Sequence, residues 1–498
     1  MYARQMIAQC PRPRVEIYKP ENPMKPSLSF VLPGNKVLQS YQFSLQIGDV
    51  SGSFSLSFYP LADYSGTLGS ELVALSKEQG KLPLWDLIEI MDIVKIFEET
   101  NATASGPGKG TPVFTGVIRT KRLGATANDG GVSKRMTVSG TAVTGLVSQY
   151  YVNLDTKAVC LTETMANQES LSKDLTASLV TAPDKHLKVS EVVQKVWEYF
   201  GQIDTNAGQL VNSDIYLVMQ RFMGGPGDIF AVDDELEFFY PLGCIFDGKS
   251  TQDFFSLIDR LLPEPLYEKF AYTDMESGGK MRVMIRECPF SPDKWADLNL
   301  VTLRSTEVKG YELEMSDREV YTCFYTYLDG YAVDADKALL LSTQTQKANA
   351  ELVQGKKWER YGYRPLLCHS IGYGVKDGEK DEKTGDFLQK KNKQLCEWFG
   401  DLDEMLSGTI TLAMTYGSGE LGHPSGLMPG DAVAFLGGQF YVEGVTHSWS
   451  YNSGGEISLS VSRGGDYSTG KFKRLGKDVF SPMIANMNDG IPVNRVGV

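Results

Sequence analysis

Four histidines, His186, His369, His423 and His447, are the first residues to ask about chemistry, because imidazole serves as base, acid and metal ligand near neutral pH. They lie far apart in sequence and form no HExxH or paired-histidine motif, so nothing in their spacing builds a metal site. His447 stands two residues before Trp449 on a strand-like stretch and reads as a hydrogen-bonded structural histidine; His423 precedes Pro424 and reads as exposed in a loop. No Gly-x-Ser-x-Gly elbow occurs. Gly106-Pro107-Gly108-Lys109-Gly110 resembles a phosphate loop only superficially: no Ser or Thr follows the lysine, and Pro107 removes an amide, so it reads as a hairpin loop. The acids Asp233-Asp234-Glu235 and Asp401, Asp403 and Glu404 could in principle serve glycoside hydrolysis, but that chemistry needs carboxyls facing each other across a cleft. Neighbours in sequence read as a solvated surface. Asp329 to Asp336 has the wrong spacing for a calcium loop. The cysteines Cys10, Cys160, Cys244, Cys288, Cys323, Cys368 and Cys396 are scattered singly, which predicts reduced thiols and neither a disulfide framework nor a zinc site. Catalytic residues, cofactor-binding residues and metal ligands are therefore all read as none.

The elements that would position any site are mostly strands. Residues 36–58 alternate strictly, with Tyr41, Phe43, Leu45 and Ile47, a turn at Gly48 to Gly52, then Phe54, Leu56 and Phe58, which predicts a long hairpin. Trp85 to Phe97 reads mostly as strand, and Leu82 to Phe97 is either a buried core strand or a subunit-contact segment. Further strands are predicted at 112–123 and from Met136 onward, which makes 1–155 an all-β unit. From 156 to 300 the pattern mixes helices at 162–176, 190–200 and 251–262 with strands at 266–272 and 280–286, an α+β insertion. Residues 301–400 are a strand-rich and helical connecting region, with a charged loop at 374–385 and a short amphipathic helix at 386–399. Strand Leu406 to Met414 and the meander Gly430 to Gly465 form a closing β region over 401–470, whose turns carry Gly437-Gly438 and Gly454-Gly455; 471–498 is a tail.

Length and charge bound the function. A chain of 498 residues suggests about three or four domains. A net charge of −13 disfavours binding to phosphate backbones and anionic lipid, while still letting DNA slide past an acidic wall. The N-terminus carries no signal-peptide pattern, and the most apolar run, Leu82 to Phe97, is broken by Asp86, Glu89, Asp92 and Lys95, so no membrane insertion is expected.

Three stretches together resemble the hub proteins of bacteriophage long tails and contractile injection machines. They are Thr251 to Phe290, with PLYEKFAYTD and MRVMIRECPF; Leu303 to Phe324, with Lys309, Ser316, Asp317 and Val320; and Met428-Pro429-Gly430-Asp431, Phe440 to Val445, His447-Ser448-Trp449 and Ser462-Arg463-Gly464. The resemblance implies a mainly β chain with an α+β insertion, in which two tail-tube-like β-barrel domains flank an inserted mixed domain. It implies a homotrimer whose six barrels form a ring with pseudo-six-fold symmetry, joined to a tail tube or distal tube protein, a central spike protein and other baseplate proteins. DNA or effectors would pass through the ring without specific binding; no enzyme activity and no cofactor are implied. Such a protein belongs to the virion tail baseplate and is assembled in the host cytoplasm. Two other readings compete: a tail-associated cell-wall hydrolase, and a host-surface or carbohydrate-binding tail protein.

Overall fold

The computed structural model describes residues 11–32, 37–59, 84–100, 106–128, 131–149, 151–152, 187–188, 190, 218–219, 221–224, 226–233, 237–238, 252–262, 264–304, 307–328, 351–352, 356–370, 381–414, 426–467 and 472–475. The predicted helix at 162–176, that at 190–200 apart from Ser190, His186 and His423 lie outside them.

The alternation read at 36–58 produces the hairpin it predicts. Seven strands make the N-terminal module: β1 (Pro11–Tyr18), β2 (Leu28–Val31), β3 (Leu38–Gln46), β4 (Asp49–Phe58), β5 (Ile93–Thr100), β6 (Phe114–Asn128) and β7 (Gly131–Ala142). Residues 85–97 divide in a way the sequence hid: Leu84–Leu87 is a helical turn, and the strand begins only at Ile93. Met91, at φ 76, reverses the chain between them. Ile93, Val94, Ile96 and Phe97 are buried, so this segment is core strand.

The insertion contributes β8 (Phe230–Val232), α1 (Phe254–Leu261), β9 (Tyr267–Asp274) and β10 (Lys280–Glu287), of which β8, β10 and β9 form a small sheet. The apolar stripe read at 251–262 does its expected work, since Phe255 and Ile258 of α1 join the N-terminal core with Met281, Val283 and Ile285 of β10. Next come α2 (Pro292–Ala296), β11 (Leu300–Thr302), β12 (Val308–Glu314), β13 (Cys323–Leu328), β14 (Pro365–Ser370) and α3 (Asp381–Phe399). Helix α3 starts five residues before the predicted one, so the second part of the stretch read as a charged loop, 381–385, is helical. The C-terminal meander is β15 (Leu406–Ala413), β16 (Ala432–Phe435), β17 (Gly438–Ser450) and β18 (Gly454–Gly465).

One curled, mainly antiparallel sheet runs through both ends of the chain, in the order β12-β15-β18-β17-β3-β4-β7-β6-β5-β1-β2, with β16 also paired to β17 and to β11. The mainly β expectation holds. The N-terminal core and the C-terminal core, centred on Ile410, Phe440, Val442 and Leu459, are separate apolar clusters beneath that shared sheet. A third cluster gathers Leu266, Cys288, Phe324, Cys368, Leu395 and Trp398 under α3.

Inward rows of side chains cross the strands in register: Trp449, Tyr41, Leu56 and Val138 form one, and His447, Phe43, Phe54 and Gly140 the next. The second row ends in glycine for a steric reason. A Cβ at Gly140 would run into the Val117 carbonyl and the Phe54 ring. Gly140→Ala is expected to destabilise the protein by about 1–3 kcal/mol, the usual cost of overpacking, which denaturant unfolding would read as a lower midpoint.

Candidate functional site

Three buried polar assemblies hold the elements to one another, and the first lies where the two halves of the sheet meet. Strand β17 pairs with β3 from Gly444↔Gln46 to Ser450↔Ser40. On the inner face His447 Nδ1 lies 2.7 Å from Glu98 Oε2 of β5, and the Tyr41 hydroxyl donates to Glu98 Oε1 at 3.0 Å. The imidazole stacks on Phe43 with ring centroids 4.6 Å apart, and Trp449 stacks on Tyr41 at 6.4 Å. Glu98 and His447 are 0% and 1% exposed; Glu98 stays buried because His447 and Tyr41 satisfy it, and His447 because it has Glu98. Burial first, and then the neighbouring Glu98, push the Tyr41 hydroxyl well above its ordinary value, so it remains a donor. On the outer face the Ser44 and Thr446 hydroxyls share a hydrogen bond of 2.9 Å.

A second assembly binds the insertion to the C-terminal meander. Arg286 of β10 donates from Nε to Glu268 Oε1 of β9 at 2.6 Å, and from Nη2 to the Gly430 carbonyl at 2.9 Å. The Tyr441 hydroxyl of β17 donates to Glu268 at 2.6 Å and accepts from Arg286 Nη2 at 3.2 Å. Beside it Arg463, buried and held at φ 55, donates to the Trp398 carbonyl, and its guanidinium lies 3.4 Å from the Phe290 ring centroid and 4.7 Å from that of Phe399. Burial pushes the Asp431 carboxyl up to about 6, against the Met428 N–H that it accepts and the charge of Arg286. Residues from the first and third stretches that carry the hub resemblance, Glu268, Arg286 and Phe290 with Gly430, Asp431, Tyr441 and Arg463, thus meet in one cluster.

Loop Gly106 to Gly110 owes its position to the third. Arg14 of β1 donates to the carbonyls of Gly106, at 2.7 Å, and Lys109, while Glu16 accepts from the Gly108 N–H at 2.8 Å. Buried protein side chains therefore fill the place a phosphate would need, which agrees with the hairpin-loop reading.

The acids weighed for hydrolysis are held by lysines: Asp401 and Asp403 lie 2.7 and 2.8 Å from Lys357, and Asp233 lies 3.5 Å from Lys294. Asp234 and Glu235 are outside the described residues. Cys288, Cys323, Cys368 and Cys396 are free thiols. Among the described residues, no group of three or more His, Cys, Asp or Glu is placed to hold a metal ion, and no helix is long and apolar enough to cross a membrane.

Sequence reasoning missed the partners of His447. Glu98 shares the pleat face of Val94 and Ile96, and Glu268 lies inward on β9; an acid on the apolar face of a strand was the available signal.

No protein-family model matches the chain, and no curated protein matches it by sequence. Among solved structures it is similar to the 43 kDa tail protein of prophage MuSo2 from Shewanella oneidensis, at 10% identity and a TM-score of 0.43 over 94% of this chain and 100% of that one. It is likewise similar to the tail protein from Neisseria meningitidis MC58, at 11% identity and a TM-score of 0.43 over 91% of this chain and 96% of the other. A third similarity, at 12% identity and a TM-score of 0.34 over 88% of this chain and 76% of that one, is to the E. coli c3393 protein, a component of the type VI secretion system with structural similarity to the T4 tail proteins gp27 and gp5. These are tail and injection-system proteins, the class that the resemblance in the sequence names.

Two outcomes follow from the geometry. His447→Ala leaves Glu98 buried without its nearest partner and is expected to cost about 2–4 kcal/mol, more than Ser44→Ala on the outer face, as read by denaturant unfolding. Glu287 supplies the pH test: burial alone would raise its carboxyl, but the charge of Lys391 and hydrogen bonds from Lys294, Gln394 and Lys391 outweigh it and hold it at about 2. Its folded value lies below its unfolded one, so its stabilisation is present above about pH 4.5 and fades as pH falls toward 2. Glu287→Gln should be less stable than the parent by about 1–3 kcal/mol at neutral pH, and urea unfolding at about pH 3 should show the gap narrowing.

Proposed function

We propose that this chain is a structural hub of a phage-type tail or related injection machine, acting as an assembled ring and not as an enzyme. The observation that carries the reading is the β17–β3 seam, which fuses two β modules, each with its own apolar core, into one sheet. A chain built this way offers two tandem wall units, and three copies would offer six around a channel. The tube would sit on one face of that ring and a separate spike protein on the other, with the ring located in the virion baseplate.

Other features support the same reading. Of the acids weighed for hydrolysis, Asp233, Asp401 and Asp403 are paired with lysines of other elements. The net charge of −13 suits a lumen through which DNA passes without being retained. In the test, light scattering on the purified full-length chain should give three times the 55.0 kDa chain mass, with ring-shaped particles in electron micrographs. A monomer at every concentration would overturn the ring.

A further inference from the structure

The β6–β7 pair is longer than the sheet it belongs to. Strand β5 pairs with β6 only over Phe114 to Val117, and β4 with β7 only over Met136 to Gly140, yet β6 and β7 stay paired out to Asn128↔Gly131. Among the described residues, 124–128 and 131–135 therefore continue as a two-stranded ribbon past β4 and β5. A lone two-stranded ribbon is marginal in water. Its sequence from Arg119 to Arg135 holds five cations, Arg119, Lys121, Arg122, Lys134 and Arg135, against the single acid Asp129, in a chain of net charge −13; Lys121 is used within the fold on the Trp85 and Ile88 carbonyls, Arg119 on Met91 and Arg135 on Ser57. At its base Arg122 is exposed, and Leu123 is 60% exposed.

The opposite charge lies on a terminal strand of the same sheet. Strand β12 is the terminal strand there, and its alternation turns Tyr311 and Leu313 toward the body and Glu312 and Glu314 outward. Met315, 41% exposed, and the exposed acids Asp317 and Glu319 continue that edge. Of the three cations nearby, Lys309 is paired with Glu456, Arg364 lies 3.4 Å from Asp317, and Arg318 is exposed.

We propose that the β6–β7 ribbon of one copy docks on the acidic β12 edge of the next copy, head to tail, with Arg122 facing Glu312 and Glu314 and with Leu123 against Met315. A basic ribbon projecting from two inner strands of a sheet and an acidic edge on its terminal strand are different surfaces of one chain and make a heterologous contact, the kind that closes into a ring when the rotation permits. The opposite charges set the register and favour this partner over like-charged alternatives. The inference rests on the ring reading and names the surfaces that would build it.

The test is a charge exchange in the full-length protein, with mass measured across a dilution series. Arg122→Glu and Glu314→Arg should each weaken self-association by about tenfold or more, and the double variant should recover most of that loss. Leu123→Ser should weaken it independently of charge. Because these residues are exposed, unfolding midpoints should match the parent and thereby separate assembly from folding. Rings unaffected by the single reversals, or single reversals that the double variant fails to rescue, would overturn the pairing while leaving the ring intact. A parent chain that stays monomeric would overturn the ring and the pairing together.

Discussion

The contact between His447 and Glu98 is the constraint on which the architecture turns. A carboxylate at 0% exposure is costly in an apolar interior unless something pairs with it, and here the partner comes from the other end of the chain, 349 residues away. The pairing of β17 with β3 brings the imidazole to the carboxylate, and the carboxylate in turn favours that register. Slipping β17 by one residue would turn His447 and Trp449 outward and leave Glu98 with Tyr41 alone. An apolar pair could bury as much area, but it would not discriminate between registers so sharply.

The second assembly repeats this logic at the insertion. Glu268, Arg286 and Tyr441 join two strands of the insertion to one strand of the meander, and Arg463 extends the bond to α3 through the Trp398 carbonyl and two aromatic rings. Strand β17 takes part in both assemblies, with Tyr441 at one end and His447 at the other, so the central strand of the meander fixes the insertion and the N-terminal module at once. The charged and aromatic groups that most resemble a site spend their hydrogen-bonding capacity on neighbouring elements.

Much of the fold was legible in the sequence because alternation is a local signal. The hairpin at 38–58, the stripe of α1 and the closing meander follow from side-chain periodicity. Residues 85–97 misled because an apolar run of this length has no period of its own, and the helical turn at Leu84–Leu87 and the positive φ of Met91 are set by packing. Helix α3 begins inside a stretch whose charge reads as loop, since a solvated helical turn and a solvated loop share a composition. The seam itself was out of reach: His447 could be read as structural, but its partner Glu98 looks like any acid in a strand until the pairing of β17 with β3 is known.

The seam makes one cooperative sheet from two modules, a property that native-state hydrogen exchange at its amides reads out. Backbone amides of residues 444–450 and 40–46 that are bonded across the seam should open with the same free energy as the central strands β4 and β18 on either side. Seam amides that exchange far faster than both flanks would show instead that the two modules open apart while each stays folded, and that the sheet is not one cooperative unit.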